Sequence, residues 1–235
     1  MSLRIFILGL AVSFGIAWLS VIVVPYFKMR DLAPVTFTEA ADGVDGVFFP
    51  KRTGRIVDGA QVYAENGCYL CHTQVVRPTY AGNDLYRSDW GGLKADPDRG
   101  DTRRETNVFD FEGEKYAQIG QMRMGPDLSN VGRLVEAVYA ADGNPEGWLY
   151  MHLYNPRGNP QLWKSTCPPH PFMFAKHDIM GARSDEALPV DVGADKELLP
   201  KSDARALVSY LLSMKKDQPV PAALDFAPKS DDGDL

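Results

Sequence analysis

Cys68-Tyr69-Leu70-Cys71-His72 is the stretch that most restricts what this chain can fold into. Two thiols three positions apart can each reach one vinyl group on a porphyrin edge. The histidine that follows then lies under the ring, where its imidazole binds iron from the proximal side. C-x-x-C-H is the attachment sequence of a c-type haem, so the surrounding chain must wrap that group. With three Cys and four His in 235 residues, roughly one shuffled chain in a thousand would carry the pattern by chance. Two other chemistries use C-x-x-C. A thioredoxin-like pair needs a βαβ surround that the sequence lacks, and a zinc site needs a second Cys/His pair at matching spacing, also lacking. The reading is therefore one covalently bound haem c on Cys68 and Cys71, with His72 as an iron ligand. The third cysteine, Cys167, is left without an obvious disulfide partner.

The run Ile5–Val24 is apolar throughout, relieved only by Ser, Gly and Trp. At helical rise, residues 5–24 span about 30 Å, the hydrocarbon thickness of a bilayer. Trp18 and Tyr26 fall toward its far end, where interfacial aromatics belong. The run exceeds a signal peptide's apolar region, and Val23-Val24-Pro25-Tyr26 is not a small-residue cleavage site, so a retained anchor is expected. Arg4 on one side and Lys28 and Arg30 on the other do not orient it. Attachment of c-type haem outside the cytoplasmic membrane does. The expected location is therefore a bacterial inner membrane, crossed once, with the haem domain in the periplasm. A net charge of −6 argues against nucleic acid as a partner.

The expected organisation is an anchor over 1–30, a tether over 31–55, a haem domain over 56–217 with an insert at about 94–121, and a disordered acidic tail over 218–235. Phe48, Phe49 and Pro50 in the tether are candidates to dock on a neighbour. Val57–Asn66 has helical periodicity and Gly67 is its stop signal. Ala95–Arg104 reads as a solvated charged loop, and Val108–Phe111 alternates as a short strand or a segment lying along a partner. Gly125-Pro126-Asp127-Leu128 reads either as an ordinary turn entering a helix at Asp127 or Ser129 or, by its resemblance to the equivalent stretch of small cytochromes, as the segment whose Pro126 carbonyl orients the proximal histidine. Its place downstream of C-x-x-C-H favours the second. Trp148–Tyr154 reads as a buried helix ended by Asn155-Pro156, with His152 a core histidine. The proline-stiffened loop from Cys167 to Phe174 suits a sixth-ligand loop. A last helix from a Ser202 cap to about Lys216 should cross the first near Gly59 and Tyr63, closing a cytochrome c-like (class I) domain that is mostly α with long loops.

Several segments together resemble a known family. They are the anchor ending in Val-Val-Pro-Tyr-Phe, the run Gly67–Pro78 around the haem motif, Arg123–Leu128, and His152-Leu153-Tyr154-Asn155-Pro156-Arg157. They are similar to the monohaem subunit II of C-family (cbb3-type) cytochrome c oxidases. The resemblance implies an electron-transfer subunit that is not itself the oxygen-reducing site. Such a subunit takes electrons from a donor cytochrome and passes them to a haem–copper catalytic subunit, beside a further cytochrome c subunit. It also implies that the sixth iron ligand is the Met of a Met-Pro pair, and here Cys167-Pro168 stands at that place. Three residues compete: Met173, if the loop re-registers, and Cys167 or His170 as alternatives. A thioether favours ferrous iron and a higher potential, which suits a relay, so Met173 is the expected ligand. Arg77 has a claim on a haem propionate through bidentate pairing, as has Arg157. Met122 and Met124 read as packing residues. A free-standing anchored shuttle, or a haem enzyme with a cysteine-ligated or open site, are the alternative functions.

Overall fold

The computed structural model describes residues 2–30, 54–87, 90–111, 113–140 and 143–220. The chain divides into two compact units, Met1–Thr38 and Glu39–Leu235. The expected tether with Phe48, Phe49 and Pro50 lies almost wholly outside the described residues, as does the tail beyond residue 220.

The first unit is one apolar helical rod, α1 (Leu3–Trp18), a wide turn (Leu19–Val23) and α2 (Val24–Met29). Pro25 explains the wide turn. It has no N–H, and its ring clashes with the carbonyl four residues earlier. The helix widens just ahead of it, so the Val24 N–H reaches back five residues to the Leu19 carbonyl. The apolar stretch runs Leu3–Lys28 with its side chains exposed. At helical rise its 26 residues cover about 39 Å, enough to cross a bilayer. At its end Tyr26 and Phe27 meet edge to face at 5.4 Å, and the Arg30 guanidinium lies over Phe27 at 4.8 Å.

The second unit is mostly helical with long loops. Its helices are α3 (Gly54–Glu65), α4 (Val131–Leu134, continued by a wide turn Val135–Tyr139), α5 (Pro145–Tyr154) and α6 (Ser202–Ser213). In α6, Ala204, Leu207, Val208 and Leu211 recur at helical spacing and are all buried. The crossing of α3 and α6 is the one expected. A Cβ on Gly59 would strike the Ala206 carbonyl, so only glycine lets the two backbones touch there. Tyr63 packs against Tyr210 one turn further on, ring centres 5.6 Å apart. Leu128, Val135, Leu149, Leu153, Met173, Phe174 and Met214 complete the core around this crossing.

Four local expectations differ from the structure. The last helix stops at Ser213, with no side-chain cap at its start, because the chain beyond is drawn inward: Lys216 donates its N–H to the Ser129 carbonyl and lies 3.7 Å over the Phe111 ring. Segment 95–104 is solvated over only part of its length: residues 97–100 are exposed, whereas Thr102 and Arg104 are buried. Arg104 and Asp110 form a bidentate pair at 2.6 and 2.8 Å, both nearly buried, while Arg99, Thr102 and Arg133 converge on buried Asp217. Its arginines are therefore paired with acids even where the segment meets water. Val108–Phe111 is a 3-10 turn, since Asp110 accepts the Asn107 N–H at 2.9 Å and pulls the segment into a curl. Finally, β1 (Phe174–Asp178) and β2 (Lys196–Pro200) form an antiparallel pair, with Phe174 opposite Pro200 and Asp178 opposite Lys196. Neither strand alternates cleanly, so the sequence carried no period-2 signal for it.

Candidate haem-binding site

Helix α3 ends as its sequence dictates. Gly67 adopts φ +69°, a left-handed geometry in which side chains are strained, and the chain turns at once into a 3-10 turn, Cys68–Leu70. The Cys68 carbonyl accepts both the Cys71 and His72 N–H groups, at 3.2 and 3.0 Å. This tight turn holds the two thiols and the imidazole on one short arc. All three cysteines are free thiols. Burial pushes the Cys68 thiol up to about 11, with the nearby Cys167 adding to the effect.

His72 is fixed by a second segment running alongside. Gln74 donates to Ile119, Gln121 to Tyr69, Gly125 to Cys71 and Leu128 to Thr73, all backbone to backbone at 2.8–3.0 Å. The 119–128 strap therefore follows the haem motif, and it brings the Pro126 carbonyl to 2.8 Å from His72 Nδ1. A carbonyl only accepts, so Nδ1 carries the hydrogen and Nε2 keeps the lone pair that a metal requires. Burial lowers the His72 pKa, with the Pro126 carbonyl and then Asp127 acting in opposition, which favours the neutral imidazole. Gly125 lies against the ring. A Cβ there would fall on Cε1 and sit 2.7 Å from Nδ1.

Behind the histidine lies a charge network. Asp127 accepts from Thr73 Oγ1 at 2.5 Å, the Val75 N–H at 2.9 Å and the Ser129 N–H at 2.8 Å. Arg123 donates to Thr73 Oγ1, the Val75 carbonyl and Asp84. Asp84, fully buried, also takes three donors from Arg77: the backbone N–H at 2.8 Å, Nε at 3.1 Å and Nη2 at 2.9 Å. The guanidinium fork of Arg77, expected on a propionate, is thus engaged by a carboxylate of the protein itself. Gln74, also fully buried, exchanges hydrogen bonds with the Tyr210 hydroxyl at 2.9 and 3.1 Å and ties the motif to α6. Sequence reasoning named neither Asp84 nor Arg123 as a functional residue. Their only signal was an arginine flanking each motif, and the acid joining them lies in a loop.

On the other side of the thiols, Arg157 donates Nη1 to the carbonyls of Ser165 and Cys167, both at 3.2 Å, and the His170 N–H bonds the Leu153 carbonyl at 2.8 Å. Arg157 therefore braces the 165–170 loop against the end of α5. Burial pushes the Cys167 thiol up, and Cys71 is close enough to add to it while Arg157 opposes. Cys167 is thus within electrostatic reach of both motif cysteines. His152 is held down to about 4 by burial, then by His72 and His170, so three imidazoles share one region. The Nδ1 atoms of His152 and His170 are buried without a hydrogen-bond partner. Met173 is 2% exposed and lies in the core; its N–H bonds the His170 carbonyl and its own carbonyl accepts from Lys201. Met122 and Met124, expected to pack, are half exposed or more on the strap.

The residues present fit a c-type haem. They supply two thiols, an imidazole with its Nε2 unengaged by the Pro126 bond, a glycine cradle against the ring, and a braced loop with a third thiol. A family model described as cytochrome c oxidase, mono-heme subunit/FixO, matches residues 11–193. No curated protein matches the chain.

Proposed function

The chain belongs to the mono-haem subunit (FixO) family of cytochrome c oxidase, and on that premise we propose that it relays electrons from a donor cytochrome to the haem–copper catalytic subunit. It is a membrane-anchored monohaem cytochrome c subunit of a cbb3-type oxidase. Cys68 and Cys71 would hold the haem covalently through thioether links to its vinyl groups, and His72 would meet the iron through Nε2, with its proton kept on Nδ1 against the Pro126 carbonyl. The haem domain lies in the periplasm of a bacterium, anchored in the inner membrane, and a further cytochrome c subunit completes the complex. Bound at this site, a haem supplies a one-electron ferric/ferrous couple.

The observation that carries this reading is the His72–Pro126 hydrogen bond at 2.8 Å, which leaves only Nε2 to meet a metal. Haem staining of the full chain on a denaturing gel, after expression with a c-type maturation system, tests it. Stain retained by the wild type and lost in the Cys68→Ala, Cys71→Ala double variant is expected; an unstained wild type would overturn it.

For the sixth position we assign Cys167 rather than Met173. Cys167 lies near both motif thiols on a loop braced by Arg157. Bringing Met173 to iron by sliding the loop would break its bonds to His170 and Lys201 and empty a filled core position. A thiolate lowers the potential, which strengthens the onward step of the relay and weakens the incoming one by the same amount, so the potential does not choose between the two ligands. Cys167→Met should then raise the midpoint potential by on the order of a hundred millivolts or more. Near-infrared spectra of the oxidised protein should lose the thiolate signature in that variant and keep it in Met173→Ala. The reverse pattern would return the ligand to Met173.

A further inference from the structure

Three rings lie in one parallel stack beside this site. Tyr139, at the end of the α4 extension, stacks on Trp148 of α5 with centroids 4.7 Å apart and planes 6° from parallel. Trp148 stacks in turn on His152, one helical turn later, at 5.2 Å and 4°. His152 is the inner end: Leu153 beside it accepts the His170 N–H at 2.8 Å, so the stack ends against the 165–170 loop, within electrostatic reach of His72. Trp148 also lines a surface cavity of about 270 Å³ with Glu146, Tyr150, Met151, Asp185 and Glu186. Glu186 is neutralised by Arg205 at 2.6 Å, whereas Glu146 and Asp185 have no ion-pair partner among the described residues. The cavity therefore gathers Glu146, Asp185 and Glu186 at the edge of the indole, one acid more than the two nearby arginines, Arg205 and Arg55.

We propose that the Tyr139–Trp148–His152 stack is the electronic bridge into the haem site, and that the cavity at the edge of Trp148 is the docking point of an electron donor with a lysine-bearing face. This rests on the relay function proposed above and adds its point of entry. One electron leaves the donor's ferrous centre and reduces this subunit's ferric iron. The rings are neither oxidised nor reduced, no bond forms or breaks, and they serve as conjugated matter across a gap that aliphatic side chains would couple poorly. Parallel stacking suits this, since it overlaps the π faces through the whole series. Basic residues on the donor match Glu146 and Asp185, and such attraction accelerates encounter at low salt.

The test uses the solubilised oxidase complex and a lysine-rich soluble cytochrome c, reduced beforehand, as the donor probe. Stopped-flow absorbance follows reduction of this subunit's haem. Trp148→Leu is expected to slow transfer by about tenfold at saturating donor, the rate equivalent of a small added barrier, with haem spectrum and midpoint potential unchanged. Trp148→Phe, which keeps an aromatic face, should recover most of the rate. Tyr139→Leu, at the outer end, should slow it with less risk to folding. Glu146→Gln with Asp185→Asn should reduce the salt dependence of the second-order rate without touching the saturated rate. Wild-type rates in both Leu variants, with haem in place, would overturn the bridge, as would a wild type that takes no electrons from the basic probe. A protein without haem would instead overturn the relay function itself, so the two failures are distinct.

Discussion

Gly125→Ala should yield little haem-loaded protein, and the fraction that forms should have a raised midpoint potential. The added methyl carbon would fall on the His72 ring, so either the imidazole or the 119–128 strap must move. Overpacking of this kind costs about 1–3 kcal/mol. Losing the 2.8 Å bond from Nδ1 to the Pro126 carbonyl adds about 1 kcal/mol. The potential moves upward because the carbonyl makes the imidazole a stronger donor, and a stronger donor favours ferric iron. Pro126→Ala is the informative control. The accepting oxygen belongs to the backbone, so alanine keeps it, and the potential should stay near the wild-type value. Spectroelectrochemical titration of the two variants measures both. A Gly125→Ala protein with wild-type yield and potential would mean that the strap does not position the imidazole.

Asp84→Asn should cost about 2 kcal/mol of stability, the contribution of the ionised carboxylate, because the two arginines left behind are partly exposed and are not stranded as buried charges. The carboxylate itself is fully buried and joins Arg77 to Arg123. Burial alone would raise its pKa, but hydrogen bonds from Arg77 and then the Arg123 side chain hold it down to about 2. A carboxyl depressed in the folded state contributes stability above its unfolded value, and that stability is lost as pH falls through the folded one. The window here runs from 3.8 down to about 2, and the contribution lost across it is about 2 kcal/mol. Urea unfolding of wild type and variant at pH 5 and near the bottom of that window should show their difference shrinking in acid. Any acid effect at His72 is common to both proteins and cancels. An unchanged difference at the two pH values would remove Asp84 as the anchor of this network. Its functional reach is through Arg123, which fixes Thr73 and the Val75 carbonyl immediately after the haem histidine.

Local features were the legible ones in the sequence. Gly67 announced the end of α3 because a left-handed residue is strained for most side chains. Pro126 announced a carbonyl held outside a helix. Gly59 and Tyr63 marked the crossing with α6 because a cytochrome c-like fold closes by packing its first and last helices together. Charge was where local reading failed. Arg77, Arg99, Arg104 and Asp110 look like solvent-facing residues in sequence, yet each is paired, and Arg104 and Asp110 are nearly buried. A charged side chain carries no mark of its partner, and burial becomes tolerable only once that partner arrives from elsewhere in the chain. The β1–β2 pair was missed for a related reason: its strands are short, and their packing against α5, through Phe174 on Tyr150 and Tyr154, supplies what alternation does not.

By itself the sequence determined an apolar rod long enough for a bilayer, a thiol–thiol–imidazole turn built for one cofactor, and the residues that begin and end the main helices. These depend on neighbours within a few positions, where bond geometry and side-chain type suffice. The tertiary structure alone decided which acid occupies Arg77, which hydroxyl meets Gln74, and which further sulfur lies near the motif cysteines. His72 and Pro126 are 54 residues apart and Gln74 and Tyr210 are 136 apart. Contacts at such separations exist only when the whole core has closed, because each repays its loop-closure entropy only together with the others.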